Sequence, residues 1–154
     1  MLDGALVVVT AAAGGDADGC LVGFHTQCSI HPRRHALWIS HANHTHALVL
    51  RAPVVAVHAL AASQHELAAT FGGETADDVD KMAEVAWTAG PDGVPLLDDV
   101  TNRFIGRVLD RLELAGGDHT LLVVEPIDAS AAGGEPSQPF RLHDAHDIDA
   151  GHDP

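Results

Sequence analysis

Thr101-Asn102-Arg103-Phe104-Ile105-Gly106-Arg107-Val108-Leu109-Asp110-Arg111-Leu112-Glu113-Leu114 runs into Ala115-Gly116-Gly117-Asp118 and returns through His119-Thr120-Leu121-Leu122-Val123-Val124-Glu125-Pro126-Ile127. Two stretches rich in branched apolar residues, joined by a Gly-Gly-Asp turn, predict a long strand over Thr101–Leu114 and a return strand over His119–Ile127. A lone hairpin is not stable in water, so other strands must cover it. The upstream sequence supplies them. Ala5–Ala12, rich in Val and ended by Gly14-Gly15-Asp16, predicts a first strand, and Gly19–Ile30 a second. The second closes at His31-Pro32, because proline donates nothing to a ladder. Ala36–Ser40 and Val54–Leu60 predict a third and fourth strand, and Pro139–Leu142 a last edge strand.

The period changes between these strands. Ala47–Arg51 predicts a brief helix. Ser63 followed by Glu66 has the spacing of a reciprocal capping box, and Leu60, Leu67 and Phe71 recur at helical spacing up to Gly72-Gly73. Thr75–Val85 predicts a second short helix, acidic at its start where the helix dipole favours negative charge. The stretch 143–154 is polar, rich in His and Asp and without periodicity, which predicts a disordered or loosely attached tail after a domain over 1–142. Many strands, two or three short helices and a late hairpin predict a mainly β fold, a barrel with helical insertions.

Composition narrows the function classes. The 154 residues fit one domain with a real core, and 46% are apolar. With 4% aromatics and no Tyr, Val, Leu and Ala carry most of the packing. Twenty-two acidic against 8 basic residues give a net charge of −14. That surface repels nucleic acid and anionic lipid, which excludes them as partners. No apolar run approaches the roughly 20 residues of a membrane span. Ala5–Val9 is too short for a signal peptide core, so the chain is expected in the cytoplasm, with Cys20 and Cys28 reduced.

The order of segments carries a resemblance. Leu6-Val7-Val8-Val9-Thr10-Ala11, a Gly-Asp turn, then Gly19–Pro32 are similar to the first hairpin of the flavin-reductase-like family. Val55-Ala56-Val57-His58-Ala59-Leu60 follows that family's next strand, Ser63-Gln64-His65-Glu66-Leu67 its helix, and Gly117-Asp118-His119-Thr120 its late turn. The resemblance covers roughly residues 3 to 142. It implies a Greek-key split β-barrel that holds FMN, with FAD as the alternative, in a homodimer. It also implies NAD(P)H as co-substrate and a partner monooxygenase or small-molecule electron acceptor.

Carried over residue by residue, the resemblance implies that Val22, Gly23, Phe24, His25 and Thr26 line the flavin ring, and that Ser40, Asn43, Thr45 and His46 surround the phosphate. His58 and Arg141 join the cofactor contacts. His119 acts on nicotinamide or substrate, with Asp118 fixing its ring. Leu21, Gly23 and Phe24 stand where the family carries hydroxyls, so donors there must be backbone N–H groups or displaced side chains. The same positions admit a second reading, a non-enzymatic split-barrel dimer that has lost flavin and binds another small ligand or a protein. His41-Ala42-Asn43-His44-Thr45-His46 holds three histidines, but neither they nor His25 and His119 show a metal-ligand spacing, and no metal site is expected.

Overall fold

A computed structural model describes residues 2–73, 80–131 and 137–150. The late hairpin forms as β8 (Arg103–Glu113) and β9 (His119–Ser130), with Glu113 opposite Thr120 and Gly116 at φ 72° in the turn. The first strands are β1 (Val7–Ala13) and β2 (Asp16–Val22), with Ala13 opposite Asp16. Gly14 and Gly15 between them have φ of 62° and 82°, the two positive values that a two-residue hairpin turn of the right twist demands.

The run Gly19–Ile30, expected as one strand, divides into β2 and β3 (His25–Ser29) at Gly23-Phe24. β4 (Arg34–Ser40), β5 (Val54–Ala59) and the helix α1 (His44–Val49) follow. α1 begins before the expected Ala47, because the Asn43 side chain accepts a hydrogen bond from Thr45 N and caps it. α2 (His65–Gly73) starts too late for Ser63 to cap it. Gln64 holds that end instead: its Oε1 accepts from Ala61 N and its Nε2 donates to Asp99 O. The helix expected over Thr75–Val85 is present as α3 (Lys81–Glu84), and positions 75–79 lie outside the described residues. A small hairpin of β6 (Trp87–Ala89) and β7 (Pro95–Leu97) occupies the loop before β8. The last edge strand is reduced to two isolated bridges, Ala5 with Arg141 and Ala61 with Pro139.

Seven strands form one sheet in the order β2-β1-β5-β8-β9-β4-β3, every pairing antiparallel. Its two edges, β2 and β3, are consecutive in sequence. In a flat sheet six strand spacings would hold them about 29 Å apart. The link through Gly23-Phe24 reaches at most about 11 Å. The sheet must therefore curl until its edges meet at this link, leaving a barrel that is split rather than laddered shut along that seam.

β1 shows why its apolar run is unbroken. Val7, Val9 and Ala11 point into the barrel core with Leu37, Ile39, Val57 and Leu122, while Leu6 and Val8 point outward under Phe71, Leu97 and Phe140. With both faces covered, no polar alternation is needed. Residues 143–150, expected to hang loose, fold back: Leu142–Ala145 form a 3₁₀ turn, and Ala145 and Ile148 pack on the outer cluster.

Candidate functional site

The seam opens into a cavity of about 460 Å³. Leu6, Cys20, Leu21, Val22 and Phe71 give it an apolar floor, and Gly23, Phe24 and Trp38 line one side. Polar groups enter only at the rim, from Ser40, Asn43, His44 and His119. The opposite wall comes from the folded-back segment, through Leu142, Ala145, Ile148 and Ala150. A mostly apolar slot with a few polar groups at its edge suits a flat ring system carrying a polar arm, and its size is ordinary for a small-molecule site.

Of the residues expected to hold a ligand, Val22, Gly23, Phe24, Ser40, Asn43 and His119 line this cavity. Phe24 is 55% exposed, its ring centroid 5.3 Å from that of His119. Neither the Gly23 nor the Phe24 N–H donates to a protein acceptor among the described residues, so both donors are available to a ligand. Asp118 Oδ1 lies 2.5 Å from His119 Nδ1. A carboxylate only accepts, so Nδ1 carries a proton and Nε2 is the ring nitrogen left to face a ligand. That bond holds the Asp118 carboxyl below its usual range.

The other expected residues stand away from the cavity, each with its own partner. His25 Nε2 lies 2.8 Å from Ala5 O and its Nδ1 3.2 Å from His35 Nε2. Thr26 donates to the neighbouring Gln27 carbonyl. Thr45 is buried and donates to Asp18 Oδ2. His46 Nε2 lies 2.7 Å from the Thr120 hydroxyl. His58 is wholly buried, with Nδ1 3.1 Å from Val8 O and Nε2 accepting from Leu97 N. Burial pushes it down to about 4, so it is a neutral core residue. Arg141 donates to Asp3 O at 3.0 Å.

Sequence reasoning missed Trp38, Phe71, Gly72 and the tail wall. Trp38 was legible as an apolar residue of the third strand, one position out of phase with buried Leu37 and Ile39. No signal marked the tail, because Ala145, Ile148 and Ala150 are isolated apolar residues among charges.

The family model described as flavin reductase like domain matches residues 2–148. The chain belongs to the flavin-reductase-like family. It is 30% identical over 141 residues to the reductase component of a Rhodococcus opacus 4-nitrophenol 4-monooxygenase/4-nitrocatechol 2-monooxygenase, covering 92% of this chain and 73% of that protein. It shares its fold with a Streptomyces globisporus NADH:FAD oxidoreductase at TM-score 0.78 and 24% identity, over 90% of this chain and 81% of that one. A Sinorhizobium meliloti structure matches at TM-score 0.77 and 24% identity over 90% of this chain, which spans about half, 46%, of that protein. The match runs to residue 148, past the 3₁₀ turn at Leu142–Ala145. No described helix is long and apolar enough to cross a membrane.

The residues at the seam fit a flavin. Leu21, Val22, Phe24 and Trp38 would offer an apolar surface to its ring, and the Gly23 and Phe24 N–H groups, unpaired among the described residues, would meet its carbonyls where the family has hydroxyls.

Proposed function

We propose that this flavin-reductase-like protein binds a flavin, FMN or FAD, in the seam cavity and reduces it with NAD(P)H. The observation that carries this is the cavity at the Val22-Gly23-Phe24 link, with unpaired backbone donors on one side and His119 across from them. Bound there, a flavin supplies the hydride chemistry. The protein's part is to orient and to exclude water. Val22 and Phe24 hold the ring plane, Ser40 and Asn43 meet the polar arm, and His119, locked by Asp118, positions the nicotinamide. The name of the Rhodococcus relative supports a partner monooxygenase as the acceptor of the reduced flavin.

The protein acts as a homodimer in this proposal. Leu109, Leu112, Leu114 and Ile127 are all at least 40% exposed along β8 and β9, an apolar surface that a second copy would cover. The family resemblance also assigned the flavin contacts His25, Thr26, Thr45, His46, His58 and Arg141. The flavin function does not depend on them, since each is engaged elsewhere.

A specific observation supports a second reading. Phe24 occupies a hydroxyl position of the family and borders the cavity beside Leu21, as expected of a barrel that has given up flavin. Titrating the purified protein with FMN, followed by flavin fluorescence, separates the two. Saturable quenching at micromolar FMN, with NADH oxidation on adding the nucleotide, supports the reductase. Unquenched FMN and no turnover leave the second reading in place.

A further inference from the structure

Beside the cavity stands a cluster that flavin chemistry does not use. His41 follows β4, His46 lies on α1 and Glu113 ends β8, and each brings one ligand-capable atom to within 4.8 Å of the other two. His41 Nε2 is 2.9 Å from Glu113 Oε2, and the His41 and His46 rings meet edge-on at 4.9 Å. Thr120, fully buried, joins the other pair. Its hydroxyl donates to Glu113 Oε1 and, having spent its proton there, accepts from His46 Nε2–H.

We propose that His41, His46 and Glu113 form a binding site for one divalent transition ion of the zinc type, with its fourth position open to water. Two imidazoles and a carboxylate are a donor set that such ions favour over magnesium or calcium. Two ligands on a tetrahedral zinc, each about 2.1 Å from it, stand about 3.4 Å apart. The present separations reach that by small side-chain rotations, chiefly of His41, which is exposed. The backbone beneath them is fixed: His41 N donates to Asp118 O, and Glu113 pairs with Thr120 across β8 and β9.

A metal ion binds an imidazole through a ring nitrogen that carries no proton. Its entry moves the His46 ring proton from Nε2 to Nδ1 and replaces the bond to Thr120. The Thr120–Glu113 bond remains as outer support for the carboxylate. The histidine run alone hid the site, because its third ligand is far off in sequence and its middle histidine is engaged elsewhere. His44 turns to Asp18, with Nδ1 3.0 Å from Oδ2.

The test is zinc binding by the purified full chain, measured by competition with a chromophoric chelator, and cobalt binding read from visible absorption. The wild type should take up one equivalent at micromolar zinc and give the intense visible bands of four-coordinate cobalt. His41→Gln and Glu113→Gln should each weaken binding roughly 10- to 100-fold, while His143→Ala in the tail should not. Both glutamine variants are near-isosteric at exposed positions, and circular dichroism confirms that each is folded. Wild-type affinity in both variants, or no uptake by the wild type at micromolar zinc, overturns the proposal. Neither outcome bears on flavin binding.

Discussion

Phe24 and His119 face each other across the seam with ring centroids 5.3 Å apart and planes inclined at 53°. One belongs to the link between the sheet's edge strands, the other to the first position of β9. Both rings line the cavity, so a ligand bound there lies beside this pair. If His119 positions the nicotinamide, His119→Ala should lower kcat/KM for NADH by roughly 10²-fold, the scale of losing one positioning contact. FMN affinity should change far less. Steady-state kinetics alongside an FMN titration separate the two, and equal losses in both would remove His119 from the nucleotide step.

His58 gives the fold an acid limit. Burial drives it down to about 4, and the same cause, followed by the nearby His25, takes His35 down to about 4. In the unfolded chain both titrate near 6.5. Below that value the unfolded chain binds more protons than the folded one, so stability falls. The full contribution is present above about pH 6.5 and is lost as pH drops toward 4. For His58 the loss is on the order of 3 kcal/mol. His58→Leu should flatten this pH dependence in urea denaturation. At neutral pH it should cost about 1–3 kcal/mol, because the Leu97 N–H loses its acceptor. An unchanged slope between neutral and acid pH would count against His58 as a source.

Gly19 leaves no room for a side chain. A Cβ there would stand 2.9 Å from Phe71 Cε1 and 3.0 Å from Thr10 Cγ2. Both neighbours are fully buried, so neither can move aside cheaply. Gly19→Ala should destabilise the fold by about 1–3 kcal/mol, measured by chemical denaturation. Because Phe71 also floors the cavity, the same substitution should weaken FMN binding.

The two cysteines should differ sharply in reactivity. Cys20 is buried on β2 and desolvation pushes its thiol up to about 12, whereas Cys28 is exposed on β3. A thiol reagent that absorbs on reaction should modify one thiol in the native protein and two in denaturant. Replacing Cys28 with Ser should abolish the native reaction. Two fast thiols in the native state would show that the seam opens deeply enough to expose Cys20.

The strands of this fold were legible because their cause is local. Branched apolar runs and Gly turns mark β1, β5, β8 and β9 within a few residues of where they lie. The break at Gly23-Phe24 was not, since Cys20-Leu21-Val22-Gly23-Phe24 reads as one strand until the barrel has to turn there. That need arises from the order of all seven strands, which no local pattern contains. Of the 18 residues that line the cavity, six, Val22, Gly23, Phe24, Ser40, Asn43 and His119, were already candidates in the sequence. Val22, Gly23, Phe24 and His119 lie where the family order puts them, whereas His58 and Thr45 look functional in sequence and are consumed by Leu97 N–H and Asp18. The tail was the least legible: Ile148 lies against Gly72 and Gly73 of α2, where an added Cβ would stand 3.4 and 3.5 Å from its Cγ2, a contact between segments 75 residues apart that no local pattern contains.

Because β2 and β3 meet only after the sheet has gone all the way round, the width of the gap between them is the accumulated offset of every pairing in between. The register shifts at Gln27/Ser29, Ile105/Gly106 and Val108/Asp110 therefore act at a distance, each adding its own increment of bend to the aperture where Phe24 stands. A substitution on the far side of the barrel that erased one of them would resize the mouth of the cavity without touching any residue that lines it.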